Sequence, residues 1–297
     1  MKLKNDNVIE YGNIDEDSKS KLIIDILGSN NRITIGNNVV IKKELEITIN
    51  GNNSCVNIGD YTTFERTSIG VAEDENYVEI GEDCMFAKDT KIFATDFHSI
   101  ISIKDGKRLN FKKGVNIGNH VWFGANAIIL KGSSVGDNCV LGAGTIVSGK
   151  FGDNLLLVGA SPCKILKKDI SWDRELLTSH PDVSVKNIIA DEDNIQYYLE
   201  RKISNSNSNL AGWVAKKDMQ NSDYYLYILC EYKNKKKVLF PARQTGSEDV
   251  VQELKNKNLN HCRFYAFINK KDLINVSLVV FYEGKLYSKN ITNDYKL

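Results

Sequence analysis

Ile117-Gly118-Asn119-His120-Val121 and, eighteen residues on, Val135-Gly136-Asp137-Asn138-Cys139 are two of five copies of one phrase: an apolar residue, Gly, two mostly polar residues, then a small or β-branched one. The other copies are Ile35-Gly36-Asn37-Asn38-Val39, Ile58-Gly59-Asp60-Tyr61-Thr62 and Ile80-Gly81-Glu82-Asp83-Cys84. Around the last two copies Ile117, Phe123, Ile129, Val135, Leu141 and Val147 stand six apart without a break. An apolar side chain every six residues fits neither a helix face nor an alternating strand. It fits a chain wound as a prism, in which each short side sends one apolar residue to the axis and three sides make one coil. Hexapeptide periods belong to parallel β-helices.

The irregular steps carry further information. Ile35 to Ile58 is 23 residues, Ile58 to Ile80 is 22 and Ile80 to Ile117 is 37, so loops of about five, four and nineteen residues leave an eighteen-residue coil. Insertions in a solenoid go to its outside and often to its binding face. The longest falls near Thr95 to Gly114 and carries Asp96-Phe97-His98-Ser99. That arm is where chemistry is expected.

The remaining organisation follows from composition. Residues 1–21 are polar and are expected to cap the first coil, which then runs over 22–168. Ser171 to Leu177 and Asp191 to Lys202 read as helices, with Ser171 as an N-cap. They form, with the low-complexity Ser204–Asn209, a helical segment and linker over 169–209. Residues 210–297 are rich in β-branched and aromatic runs such as Tyr224–Tyr232 and Val276–Tyr282, with one helix near Glu248, and predict a small antiparallel β-sandwich.

The formal net charge of +1 on 297 residues offers no electrostatic attraction for nucleic acid or an anionic membrane. No stretch has the length and apolarity of a membrane span or signal-peptide core, which predicts a soluble, cytoplasmic protein. The six cysteines form no CxxC pair, and Cys84 and Cys139 occupy the small position of the repeat. They read as reduced packing residues rather than a disulfide framework or a zinc site.

Four segments match one family in order and spacing: Asp96-Phe97-His98-Ser99-Ile100, Ile117 to Ala125, Leu141-Gly142-Ala143-Gly144-Thr145-Ile146-Val147-Ser148, and Gly159-Ala160-Ser161-Pro162-Cys163-Lys164-Ile165-Leu166-Lys167. Over His98 to Lys168 the chain resembles the hexapeptide-repeat acetyltransferases. Within them it is most similar to the polysaccharide and sialic acid O-acetyltransferases of bacterial surface glycans. The resemblance implies an all-β chain with a left-handed parallel β-helix, acetyl-CoA as co-substrate, no metal, a glycan acceptor, and a homotrimer with active sites between subunits.

Acetyl transfer to a sugar hydroxyl needs a base for the hydroxyl proton, and neutral His suits it near working pH. The resemblance aligns His98 with the family's base, and Asp96 is a candidate to orient its imidazole. His120, at an outward corner of the repeat, reads as a surface-turn residue. Trp122 follows the small position, where an indole does not enter the coil, and is expected on the outer wall. The resemblance lays it along the acetyl-CoA site, with the backbone amide of Ala125 beyond Gly124 as the oxyanion donor. It matches Ala143 and Ser148 to positions that hold the pantetheine arm. It matches Lys164 and Lys167 to positions that meet the CoA phosphates, although the turn before them has one residue more than the usual Gly-x-Pro.

Other readings remain. The γ-type carbonic anhydrases need three zinc histidines, and this coil offers two, His98 and His120. An N-acetyltransferase acting on a nucleotide-linked amino sugar would need similar groups. A glycan-binding scaffold without activity is the non-enzymatic alternative. The last domain is expected to bind or position glycan.

Overall fold

The computed structural model describes residues 4–174, 176, 181, 183–202, 209–219, 223–268 and 272–294. The chain divides into two units, Met1–Trp172 and Asp173–Leu297. The described residues are all-β apart from short helical turns and the helices Glu16–Ser20 and Glu248–Leu254.

In the first unit the six-residue period becomes three columns of buried side chains. Ile35, Ile58, Ile80, Ile117 and Val135 pair in register through parallel strands and form the first column. Ile41, Phe64, Phe86, Phe123, Leu141 and Leu157 form the second. Ile47, Ile69, Ile92, Ile129 and Val147 form the third. All are buried in one core. In the second column the rings stack, with centroids 4.8 Å apart for Phe64 and Phe86 and 4.2 Å for Phe86 and Phe123. The first face is a parallel sheet from Val8–Tyr11 to Lys150–Phe151. The other two faces join as one sheet because Val40–Asn50 and Thr63–Ala72 carry their pairing round the corner.

The repeated phrase is the corner between the first and second faces. A Cβ on Gly118 would lie 2.4 Å from Asp137 Oδ1 of the next coil, so only glycine fits there. The Asn119 N–H donates to that oxygen at 2.7 Å, and Asn37 to Asp60, Glu82 to Asn119 and Asp137 to Asp153 repeat the bond. The next residue, Asn38, Tyr61, Asp83, His120 or Asn138, takes positive φ to turn the corner. The insertions leave at another corner, between the third face and the first, at 51–54, 73–76 and 94–114.

Three boundaries differ from the sequence reading. Val8–Tyr11 pairs with Arg32–Ile35 and buries Ile9, so the coil already includes residues before 22. At the other end Lys164–Lys168 runs back antiparallel to Leu155–Val158, and no helix follows at Ser171–Arg174. Ser171 donates its hydroxyl to Asn138 Oδ1 instead of capping; Glu175 and Leu177 lie outside the described residues. The helix expected over Asp191 to Lys202 is the strand Ile195–Arg201. Ile195 and Leu199 are both buried, a spacing of four that serves helix and strand alike, and antiparallel pairing with Asn209–Lys216 decides between them.

That strand belongs to the second unit, which therefore starts before 210; Ser204–Ser208 of the expected linker lie outside the described residues. The unit holds a four-stranded sheet (Ile195–Arg201, Asn209–Lys216, Arg263–Phe267, Arg243–Thr245) and a five-stranded one (Ile188–Ala190, Lys285–Asn290, Leu273–Tyr282, Tyr224–Tyr232, Lys237–Pro241). Pairing is antiparallel except between Ile188–Ala190 and Lys285–Asn290. Leu210, Val214 and Phe264 of one sheet share a core with Leu226, Ile228, Val276 and Leu278 of the other. No described helix is long and apolar enough to cross a membrane.

Candidate active site

The arm at 94–114 is seated on the loop of the coil before it. Arg108 grips Glu73 with two bonds of 2.6 and 2.8 Å, and Lys112 reaches the carbonyls of Asp74 and Glu75. Such bidentate pairs fix orientation as well as position. Its apolar residues Phe97, Ile100, Ile101, Ile103, Leu109 and Phe111 are exposed on this single chain.

His98 lies on the arm with its imidazole exposed and, among the described residues, without a hydrogen-bond partner. Asp96 does not orient it within the chain. Its carboxylate accepts from Lys131 Nζ at 2.6 Å and from Asn110 Nδ2 at 2.7 Å. Lys131, with Asn110 beside it, holds the Asp96 carboxyl below the ordinary carboxylate range. Asp96 thus secures the arm to the coil wall.

His120 is not a surface-turn residue. It turns an outward corner with φ +53°, as expected, but it is 4% exposed because Trp172 covers it. Its Nδ1 lies 2.7 Å from Asp83 Oδ2 and its Nε2 lies 3.0 Å from the Trp172 carbonyl oxygen, while Trp172 Nε1 donates to the His120 carbonyl at 2.8 Å. Both ring nitrogens are occupied, so the ring braces the end of the first unit.

Trp122 stands on the outer wall, 36% exposed, with the Trp172 ring 5.9 Å away. Phe123, its neighbour, points to the axis and the chain then turns at Gly124–Ala127, where the Ala127 N–H closes on the Gly124 carbonyl. The N–H groups of Gly124 and Asn126 donate to Leu141 and Lys88; among the described residues that of Ala125 donates to none. A Cβ on Gly124 would meet the Ala143 nitrogen at 2.6 Å, so glycine lets this turn stack on the next. Ala143, Gly144 and Ser148 lie exposed on the following coil. Lys164 and Lys167 lie exposed on the return strand, with no carboxylate partner among the described residues. The wall thus presents small side chains, an indole, and, among the described residues, a backbone amide without an acceptor and two cations without a carboxylate partner.

Within one chain His98 and Trp122 do not meet. The arm leaves the corner between the third and first faces, whereas Trp122 opens the second face after the opposite corner. Sequence reasoning missed Asn110, Lys131 and Trp172. Asn110 acts on Ile100, His98 and Asp96, ten to fourteen positions away, Lys131 on Phe111 and Asp96, twenty or more away, and Trp172 on His120, 52 away, and no local pattern marks such contacts.

A family model described as "Bacterial transferase hexapeptide (six repeats)" matches residues 114–149. The chain is 35% identical over 175 residues to the polysialic acid O-acetyltransferase of Neisseria meningitidis, spanning 52% of this chain and 80% of that protein. It is 37% identical over 113 residues to the polysialic acid O-acetyltransferase of Escherichia coli O1:K1 / APEC, spanning 37% of this chain and 36% of that protein. A solved structure of the polySia specific acetyltransferase NeuO aligns at 28% identity with a TM-score of 0.44, covering 59% of this chain and 81% of that one. With the repeat, the arm and a relative matched over most of its length, the chain belongs to the hexapeptide-repeat acetyltransferase family.

Proposed function

We propose that this chain moves an acetyl group from acetyl-CoA to a hydroxyl of a sialic acid-containing bacterial surface glycan, with His98 as the general base. One observation carries the base assignment: of the two histidines in the coil unit, His120 has both ring nitrogens occupied and His98, among the described residues, has neither. The acceptor class rests on the two relatives named for polysialic acid.

Acetyl-CoA supplies the acetyl group as a thioester. His98 removes the proton of the sugar hydroxyl as its oxygen bonds to the acetyl carbon, and returns a proton to the departing sulfur as the carbon–sulfur bond breaks. The Ala125 N–H donates to the carbonyl oxygen as negative charge grows there. Trp122 holds the thioester end, Ala143 and Ser148 line the pantetheine path, and Lys164 and Lys167 meet the phosphates.

The active form is a homotrimer in which one subunit's arm meets the next subunit's wall. The separate corners of His98 and Trp122 and the exposed apolar side chains of the arm support this. The coil winds left-handed, a departure from the usual right-handed crossover that the six-residue period supports. The second unit packs its two sheets as a sandwich and positions the glycan. The reaction takes place in the cytoplasm, where acetyl-CoA is found.

Purified protein incubated with acetyl-CoA and sialic acid, its oligomers and capsular fragments, read by mass, tests the reaction. Acetylation of a sialic acid acceptor that disappears in His98→Ala is the expected result. Acetylation only of an amine, or full activity in His98→Ala, would overturn this reading.

A further inference from the structure

Phe97 holds an unusual place for an aromatic residue. Its φ is +58°, and the His98 N–H closes on the Asp96 carbonyl at 2.7 Å, making a three-residue turn around it. Turns of this kind with positive φ at the centre are rare and strained, so surrounding contacts must hold them. His98 follows directly, and its direction is set by this turn.

Three contacts hold it. The 97–100 segment is pinned by the Asn110 side chain, which is almost fully buried. Its Nδ2 donates to the His98 carbonyl at 2.7 Å and its Oδ1 accepts from the Ile100 N–H at 2.7 Å. The same Nδ2 reaches Asp96 on the other side of the turn. The ring of Phe97 lies on Gly70 of the coil wall, where a Cβ would sit 2.6 Å from Phe97 Cζ. Lys131 joins the two ends of the arm by bonding Asp96 and the Phe111 carbonyl.

We infer that Asn110 and Gly70 are positioning residues for His98: Asn110 clamps the backbone after the turn to the Asp96 carboxylate before it, and Gly70 is the bare floor on which Phe97 rests. Neither need touch substrate. The inference rests on the reading of His98 as the base, since it is the placing of that imidazole which they control. A misplacement of about 1 Å costs a reaction roughly 10²-fold, so a clamp of this kind is felt in kcat.

The test uses the full chain carrying Asn110→Ala, Asn110→Asp or Gly70→Ala, alone and combined with His98→Ala. With acetyl-CoA and sialic acid oligomers, each single variant should lower kcat by about 10- to 100-fold and leave KM for acetyl-CoA within about twofold. Asn110→Asp keeps the acceptor for Ile100 but loses both donated bonds, and should fall with Asn110→Ala. In the His98→Ala background none should lower the rate further, because a residue acting through His98 has nothing left to place. Additive losses, or a loss matched by a lower unfolding midpoint, would mean that these residues merely support the fold and would overturn the inference.

A second readout is independent of any acceptor. The chain has four histidines, so the His98 ring resonance can be assigned by its disappearance in His98→Ala. It should shift or broaden in each single variant. An unchanged His98 resonance in both Asn110→Ala and Gly70→Ala overturns the inference. Full turnover in His98→Ala with a displaced resonance in the clamp variants would instead overturn the base assignment, leaving the clamp as a structural device.

Discussion

The imidazole of His120 and the indole of Trp172 lie face to face, ring centroids 4.1 Å apart and planes within 11° of parallel. Each ring also donates to the other residue's backbone carbonyl, so the last residue of the first unit is tied to a corner of the coil 52 positions earlier. Ile170 and Ser171 bond Asn138 at the next corner, extending the tie into a strap. The strap brings a second indole beside Trp122 on the wall assigned to acetyl-CoA.

Removing the indole therefore has two expected consequences. Trp172→Ala opens the cover over His120 and Asp83 and should cost about 3–5 kcal/mol of stability, the usual range for a buried Trp. It should also raise KM for acetyl-CoA, because Trp122 loses its neighbour. Denaturant unfolding and steady-state kinetics measure the two separately. A variant of unchanged stability would show that the strap is not bound in solution.

The two coil histidines should behave as opposites. His98→Ala should lower kcat by about 10²–10⁴-fold with little change in CoA affinity and no change in unfolding, since the ring lies outside the core. His120→Ala should destabilise the coil, leaving Asp83 without one of its partners in a buried place, while the folded fraction keeps its kcat. Trp122→Ala should raise KM for acetyl-CoA and lower catalysis too by loosening the thioester. A large kcat loss in His120→Ala with normal folding would reverse the assignment of the two rings.

Acid should release the arm before it melts the coil. The folded Asp96 carboxyl is held below its unfolded value by Lys131 and Asn110. Its contribution to seating the arm is therefore fully present above the ordinary carboxylate range and is lost as pH falls through the lowered value. Hydrogen exchange over 95–111, corrected for the intrinsic pH dependence of exchange, should rise at the acid end of that range. Lys131→Ala should move the rise to higher pH, because the main cause of the depression is gone. An arm equally protected at neutral pH in Lys131→Ala and in the native chain would speak against this anchor.

What could be read in advance was whatever depends on period. Ile117 to Val147 face the axis because a prism side returns every six residues, and the arm is found by counting what exceeds eighteen. Gly118 and its equivalents are legible because every coil meets the same neighbour at the same corner. The burial of His120 was not legible, since its cover arrives from Trp172 by a path with no repeat. Asn110 looks like any loop asparagine until the arm folds back on His98. Ile195 and Leu199 suit either period, and only the partner strand settles them.

The cysteines offer the sharpest check on direct transfer. Cys139 lies inside the coil with Sγ 3.2 Å from the Gly152 carbonyl, and burial pushes its thiol up to about 11. At neutral pH the group is therefore held as the unreactive thiol. Cys84 is likewise buried, its Sγ 3.2 Å from the Gly118 carbonyl, and burial also raises Cys163. An acetyl group carried on Cys139 or Cys163 would need a thiolate that burial disfavours. Thiol-directed alkylation of the native protein should leave acetyl transfer unchanged, and Cys139→Ala and Cys163→Ala should turn over at near-normal rates once folded. Mass spectrometry of the enzyme quenched during turnover should find no acetylated cysteine. An acetyl adduct on a cysteine, formed and lost at the rate of turnover, would replace direct attack with a two-step path and remove His98 from its proposed place as base toward the sugar in the first step.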